Sequence, residues 1–420
     1  MEIKAIRGFS DILPAETTRW RILEERARTV LEGFGFSEIR IPILEKAELF
    51  SRGIGEGTDI VEKEMYTFAD RSGDLLTMRP EATASVVRAY LEHKLYATDP
   101  VARLYSIGPM FRHERPQKGR LRQFHQINAE VFGISQPAID AEIMAVVMHY
   151  LSSVGTQRCA LQINSLGCPR CRLPFKETLR TFLNEHLPQL CGDCRRRMEQ
   201  NPLRAFDCKV QGCREIMAKA PLISDGLCAE CAEHFTVVRD YLDTLEIAYE
   251  VNPRMVRGLD YYTRTAFEVV AEGLGAQNTV AAGGRYDGLV HALGGPDIPG
   301  IGFAIGMERL LLIVPEEHRG GPASVFIAAL GNEQQQEAFR LRYQLNRAGV
   351  RAMMDYEGRS LKTQMRRADK FGARYVLILG EDELRAGKAI LRDMVDGRQE
   401  EVPLPSIFAQ LIKRVSEKTP

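Results

Sequence analysis

Eight of the chain's nine cysteines fall between Cys168 and Cys231. Six form three CxxC pairs, Cys168/Cys171, Cys191/Cys194 and Cys228/Cys231, and Cys208 and Cys213 complete the group. A CxxC turn offers two sulfurs to one tetrahedral ion, so eight thiolates suffice for two centres. The N-terminus, "MEIKAIRGFSDILP", has an early acid and no long apolar run. It does not read as a signal peptide, and the cytoplasm is the expected compartment. A disulfide framework is out of place there, which leaves zinc or plain core packing. Residues 164–235 thus read as a small insert that can barely build its own core. The spacing does not fix the pairing. One arrangement joins Cys168/Cys171 with Cys191/Cys194, and Cys208/Cys213 with Cys228/Cys231. With every ligand a thiolate and no open position, such a zinc is structural. Cys159 stands apart in an apolar, strand-like run.

Around this insert, a chain of 420 residues is long enough for two or three domains. Residues 16–33 read as an amphipathic helix. Runs 101–111 and 123–132 read as two strands joined by a loop that carries Arg112, Arg115, Lys118, Arg120 and Arg122. In "QFHQINAEVF", Phe124, Gln126, Asn128 and Glu130 alternate onto one face. Further helices are expected at 139–153 and 235–249, and strands in "RTAFEVVAE" and "NTVAAGG". Hairpins outnumber βαβ units, so the fold class is α+β, an antiparallel sheet with flanking helices. A boundary falls at 316–324. Beyond it, strands and helices alternate in a compact α/β domain of about 95 residues. Lys plus Arg equals Asp plus Glu at 56 each, so any nucleic-acid contact comes from local patches. No apolar run is long enough to span a bilayer.

Four clusters could carry chemistry. Arg112 leaves the first strand of the basic hairpin, where its fork suits a phosphate or carboxylate; a solvated hairpin tip is the alternative. "RGLDYYTRTAFEV" holds Arg257, Tyr261 and Tyr262, which read equally as a ligand-binding cluster or as one core tyrosine beside one facing out. "AAGGRYDGL" holds Arg285 and Tyr286 behind a glycine pair that admits a close ligand, or forms a turn with a surface arginine. "GIGFAIGMERLLL" places Arg309 on a helix behind a glycine-rich strand. Pro80 and Glu81 read as a helix start and its cap. No Walker A loop, GxGxxG, HExxH or GxSxG is present.

Together these motifs resemble the histidine–tRNA ligase family of class II aminoacyl-tRNA synthetases, from "IRGFSDILP" nearly to the C-terminus. "EIRIPILEKAELF" resembles the first class II motif, "SIGPMFRHERPQKGRLRQFHQINAEVFG" the second and "GIGFAIGMERLLL" the third. "RGLDYYTRTAFEV" and "AAGGRYDGL" resemble the two histidine-specific signatures. The resemblance implies a catalytic core (1–163 and 236–318), the insert, and an anticodon-binding domain (323–420). It implies ATP-dependent ligation of L-histidine to tRNA(His) through histidyl adenylate, with Mg²⁺ on the outer phosphates, and a homodimer built near Pro42. By resemblance Arg112, Arg257 and Gln126 are catalytic. Glu81, Thr83, Gln126, Glu130, Tyr262 and Tyr286 hold histidine, and Arg112, Glu114, Arg257 and Arg309 hold ATP. Arg115, Gln117, Lys118 and Arg120 meet the tRNA acceptor end. The run with Arg359, Lys362, Arg366, Arg367, Lys370 and Arg374 lies in the anticodon-binding domain. The family's insert touches the acceptor stem, so losing zinc should harm charging more than adenylate formation. The rival is a non-catalytic regulatory paralogue of histidine biosynthesis, which typically lacks the anticodon-binding domain and much of the signature pair.

Overall fold

The computed structural model describes residues 3–156, 158–274, 278–315 and 324–416. The chain divides into two compact units, residues 1–318 and 319–420. The boundary expected at 316–324 lies almost wholly outside the described residues.

The first unit's described strands are β1 Ser37–Glu38, β2 Leu44–Lys46, β3 Tyr66–Ala69, β4 Leu75–Met78, β5 Ala102–Phe111, β6 Gln123–Phe132, β7 Cys159–Ser165, β8 Tyr249–Val251, β9 Thr263–Ala271, β10 Thr279–Arg285 and β11 Gly300–Gly306. One sheet runs β1-β5-β6-β11-β10-β9-β7-β8, and a smaller one β2-β4-β3. The middle of the large sheet is antiparallel, as expected. Its two outer pairs, β1–β5 and β7–β8, are parallel, which the antiparallel reading missed. A parallel neighbour needs a crossover, and the chain between β7 and β8 is the cysteine insert with its following helix.

β5 and β6 pair along their full length, from Ala102 opposite Phe132 to Phe111 opposite Gln123. Their two-residue period sends Ile127, Ala129 and Val131 into the main core. That core is closed by helices Pro14–Gly33, Pro137–Ser153 and Ala229–Thr244, through Trp20, Leu23, Val147, Leu151, Val238 and Leu242. Inside it lies Arg285, which the sequence left open between a ligand-facing cluster and a surface turn and which is neither. Arg285 is fully buried, and its Nε donates to Asp140 Oδ1 at 3.1 Å. The His234 Nε2 lies 2.8 Å from the other Asp140 oxygen. Burial pushes the Asp140 carboxyl up, but the His234 hydrogen bond and the Arg285 charge outweigh it and hold the group below its ordinary value.

The insert folds around Phe175, Leu179, Leu183, Met198, Leu203, Ile216 and Met217. Helix Ala229–Thr244 begins six residues before the expected 235, because Cys228 is its N-cap and Cys231 lies in its first turn. A run of cysteines and acids carries no apolar period to announce that turn.

In the second unit, β12 Ser324–Ala329, β13 Arg351–Met354, β14 Tyr375–Leu379, β15 Lys388–Asp393 and β16 Gln399–Pro403 form a sheet ordered β13-β12-β14-β15-β16. β12 is parallel to β13 and β14, and the last two strands are antiparallel. β16 was not expected; it is an edge strand with only Val402 buried, so it lacks apolar alternation.

Candidate active site

A cavity of about 700 Å³ is lined by side chains from all four sequence clusters, among them Arg112, Gln126, Arg257, Tyr262, Tyr286 and Arg309. Strand order brings them together, since β6, β11, β10 and β9 are consecutive neighbours. The cavity floor depends on missing side chains. Gly302 on β11 faces Glu130 on β6 in register, and a Cβ there would stand 1.7 Å from Glu130 Oε2. The glycine pair Gly283–Gly284, read as room for a ligand, is room for the protein itself. A Cβ on Gly283 would meet the Gly302 carbonyl oxygen at 2.3 Å.

Glu130 lies beneath the cavity and is 1% exposed. Thr83 Oγ1 donates to its Oε1 at 2.6 Å, and the Tyr286 hydroxyl donates to Oε2. Burial pushes the Glu130 carboxyl up to about 8 against the pull of those bonds. Glu81 joins two readings that seemed exclusive. Its carboxylate accepts from Thr83 N at 2.7 Å and Ala84 N at 2.8 Å, capping helix Thr83–Glu92, and it also lines the cavity. Gln126 Oε1 and Asn128 Nδ2 are buried at the cavity with no hydrogen-bond partner among the described residues. Buried polar atoms are normally satisfied, and these two are left able to meet a polar ligand at the cavity. Tyr261 and Tyr262 both line the cavity, ring centroids 4.7 Å apart, so of the two readings their placement fits the ligand-binding cluster, and neither tyrosine faces out.

The arginines are held in place by the protein. Arg112 Nε donates to the Pro80 carbonyl at 2.8 Å, and its guanidinium lies 5.3 Å from the Phe124 ring centroid. Arg257 pairs with Glu268, which also accepts from Thr279 Oγ1 at 2.9 Å. Arg309 donates to the Thr279 carbonyl at 2.7 Å and to that of Gly119 at 3.3 Å. Gly119, at φ +71°, folds the basic loop back over the cavity. Arg120, expected at the tRNA, therefore lines the cavity and pairs with Glu114. Arg115, Gln117 and Lys118 stay exposed outside it.

The insert forms part of the same cavity. Arg197, Arg204, Asp207 and Lys209 line it, although the sequence reading gave the insert to RNA. Both arginines donate to Asp59 Oδ2 at 3.0 Å, and Asn201 donates to Asp260 at 2.6 Å. Arg172 donates to the Tyr262 carbonyl at 2.6 Å. Charged residues on short helices give no sequence sign of where they land, which is why these were missed.

The cysteines gather into two sets, Cys168, Cys171, Cys228 and Cys231, and Cys191, Cys194, Cys208 and Cys213, with the sulfurs of each set within 4.8 Å of one another. The pairing of Cys168/Cys171 with Cys191/Cys194 is therefore not the one formed: the first pair closes with the last, and the two middle pairs close together. The chain enters the insert through Cys168 and leaves it through Cys231, so the first set staples its ends. A zinc–sulfur bond of about 2.3 Å puts tetrahedral sulfurs about 3.8 Å apart. The Cys168–Cys171 and Cys191–Cys208 sulfurs are separated by 3.7 and 3.8 Å. Helices Pro169–Glu185, Gly192–Gln200 and Ala229–Thr244 each have a cysteine of the sets as N-cap, and Gln211–Met217 holds Cys213 in its first turn. Spare N–H groups there turn to sulfur, Cys228 N to Cys171 Sγ at 3.1 Å and Cys191 N to Cys213 Sγ at 3.3 Å. The donor set fits a thiolate-bound ion.

Residues 8–310 match the family described as histidyl-tRNA synthetase, and residues 324–414 match an anticodon binding domain. A histidine–tRNA ligase from Geobacter sulfurreducens is 59% identical over 402 residues, 96% of this chain and 97% of its own. One from Geobacter metallireducens is 56% identical over 412 residues, 98% of this chain and 100% of its own. The solved apo histidyl-tRNA synthetase of S. aureus superposes with a TM-score of 0.82 at 36% identity, covering 98% of this chain and 100% of that one. An ATP phosphoribosyltransferase regulatory subunit/histidyl-tRNA synthetase from Bacillus halodurans shares the fold at 19% identity and a TM-score of 0.64, covering 90% of this chain and 99% of that one. With the signature side chains gathered on one sheet and both family matches in sequence along it, the chain belongs to the histidyl-tRNA synthetase family of class II aminoacyl-tRNA synthetases.

Proposed function

We propose that the cavity makes histidyl adenylate, with Arg112 and Arg257 at the reacting centre. The chain is an enzyme of the family, an ATP-dependent histidine–tRNA ligase that uses ATP with Mg²⁺. The carboxylate of histidine attacks the α-phosphorus, and diphosphate leaves. The attacking group is already ionised, so no general base is needed. What the protein supplies is fixed positive charge around two anionic reactants. Arg112 is tied through Nε, which leaves the outer edge of its fork for oxygens of histidine and the α-phosphate. Arg309 and Arg120 serve the phosphate tail, with Glu114 orienting Arg120. Glu81, Thr83 and Gln126 take the amino group. Glu130, held by Thr83 and Tyr286, and the Tyr262 hydroxyl read the two ring nitrogens. The observation that carries this reading is the unpartnered Gln126 Oε1 beside a glycine-made slot for Glu130. Histidine-dependent ATP–diphosphate exchange tests it; exchange that ignores histidine, or its absence, overturns it.

Arg115, Gln117 and Lys118 face the tRNA acceptor end. In the second unit, Arg359 and Arg367 pair with Asp355, and Arg374 with Asp393. Lys362, Arg366 and Lys370 recur every four residues along helix Leu361–Phe371, with no ion pair among the described residues, so these three form the tRNA-facing stripe. The chain pairs with a second copy through the region of Pro42, where Ile43, Leu44, Phe68 and Leu75 are exposed on and beside the small sheet. Sedimentation should find about twice the 47.3 kDa of one chain, and an active monomer would exclude the dimer. No described helix is long and apolar enough to cross a membrane, in keeping with work in the cytoplasm. Each cysteine set holds one structural zinc. The metal would lock helix N-termini together in place of a larger core.

A further inference from the structure

We propose that Lys209 binds the outer phosphates of ATP, and that the ion held by Cys191, Cys194, Cys208 and Cys213 sets its position. This rests on the adenylation and zinc readings above and gives the insert a place in the first chemical step. Lys209 lines the cavity that contains Arg112 and Arg309. Its ammonium has no hydrogen bond or ion pair among the described residues, whereas Arg197 and Arg204 share Asp59 and Arg257 is matched by Glu268. It lies close enough to Arg120, Asp207 and Arg309 for their charges to act on it. Lys209, Arg309 and Arg120, the last already paired with Glu114, converge on one space where a polyphosphate tail can meet all three. A lysine suits that end of ATP, being a compact charge on a flexible stem beside two arginine forks.

The position of Lys209 follows from the cysteines. It is the first residue of the four-residue loop between Cys208 and Cys213. Both flanking sulfurs belong to one set, and Cys213 lies in the first turn of helix Gln211–Met217. An ion bound there closes the loop at both ends and fixes where the lysine stem starts. The other cysteine set has no ligand beside a cation that lines the cavity.

The test measures binding of ATP and of AMP, each with Mg²⁺, by calorimetry, together with the KM for ATP in histidine-dependent exchange. Lys209→Met should weaken ATP about tenfold to a hundredfold, the value of one charge-assisted contact, and leave AMP binding, histidine KM and zinc content unchanged. Lys209→Arg should recover part of the loss. A merely structural role would move AMP and ATP together, and that result, or an unchanged ATP affinity, overturns the assignment. Cys213→Ser should lose about one zinc per chain and reproduce the ATP defect. A folded Cys213→Ser protein with that zinc gone and normal ATP affinity overturns the coupling. Zinc-free protein in which Lys209→Met still weakens ATP as much as it does in zinc-loaded protein would refute the metal's part and keep the lysine's. Absence of histidine-dependent exchange in wild type would refute the adenylation reading instead.

Discussion

Arg112 and Lys209 face one cavity from opposite supports. Arg112 follows the last residue of β5, a ten-residue strand hydrogen-bonded along its length to β6. Lys209 sits in a short loop between two cysteines on an insert whose own core is small. The sheet wall is held by backbone pairing over a large apolar core. The insert wall is held by a few arginine–carboxylate bonds and two sets of sulfurs. Damage to the sheet wall should therefore be local and chemical, since its scaffold survives loss of one side chain. Damage to the insert wall should be mechanical, displacing several cavity residues at once.

The largest effect belongs to the sheet wall. Arg112→Ala should lower histidine-dependent exchange about a thousandfold or more while the Tm stays near that of wild type. Arg257→Ala should resemble it, and the double variant should lose much less than the product of the two. Near-normal exchange by folded Arg112→Ala protein would remove Arg112 from the reacting centre.

Next comes the staple at the base of the insert. Cys171→Ser should shed one zinc and expose the insert to limited proteolysis. Because Arg172 holds the Tyr262 carbonyl, the KM for histidine should rise about tenfold, more than that for ATP. Equal rises in both would mean that the two cysteine sets do not divide the labour.

A smaller effect concerns pH. The Glu130 carboxyl titrates near 8 in the folded protein, above its ordinary value of 4.5. The folded state thus keeps a proton that the unfolded chain releases. That stabilisation is complete below about pH 4.5 and is lost as pH rises through about 8. Glu130→Gln, which carries no titrating proton, should flatten this slope in Tm by a few degrees. It should also weaken histidine binding. An unchanged slope would mean that Glu130 is not the group responsible.

The smallest is Asp59→Asn. It weakens the bonds to Arg197 and Arg204 but leaves the sulfurs in place, so the KM for ATP should rise only severalfold. A larger loss than that of Cys213→Ser would mean that ion pairs, not the metal, hold the insert wall.

The two walls also differ in how far the sequence disclosed them. The sheet wall follows from local pattern: alternation along 123–132 put Gln126 and Asn128 on one face, and the structure keeps both at the cavity. Glu81, Tyr262, Tyr286 and Arg309 were expected at the site by resemblance, and the fold gathers them at one cavity. The misses came where tertiary contact overrides local signal. Arg285 reads as a ligand-facing or a surface arginine until Asp140, far along the chain, is seen to hold it in the core. Arg120 turns inward because Gly119 folds the loop. The insert wall was illegible, since spacing proposes CxxC pairs but cannot say which pairs meet. Lys209 is an unremarkable lysine until the loop that carries it is placed.

The central claim is that the insert is part of the adenylation site and depends on its metal. Zinc content and histidine-dependent ATP–diphosphate exchange should be measured together while a chelator strips the protein. About two zinc per chain should be present at the start, and the KM for ATP should climb in step with zinc loss, before tRNA is added. Full exchange with an unchanged KM for ATP in zinc-free protein, with only charging impaired, would contradict it and return the insert to RNA alone.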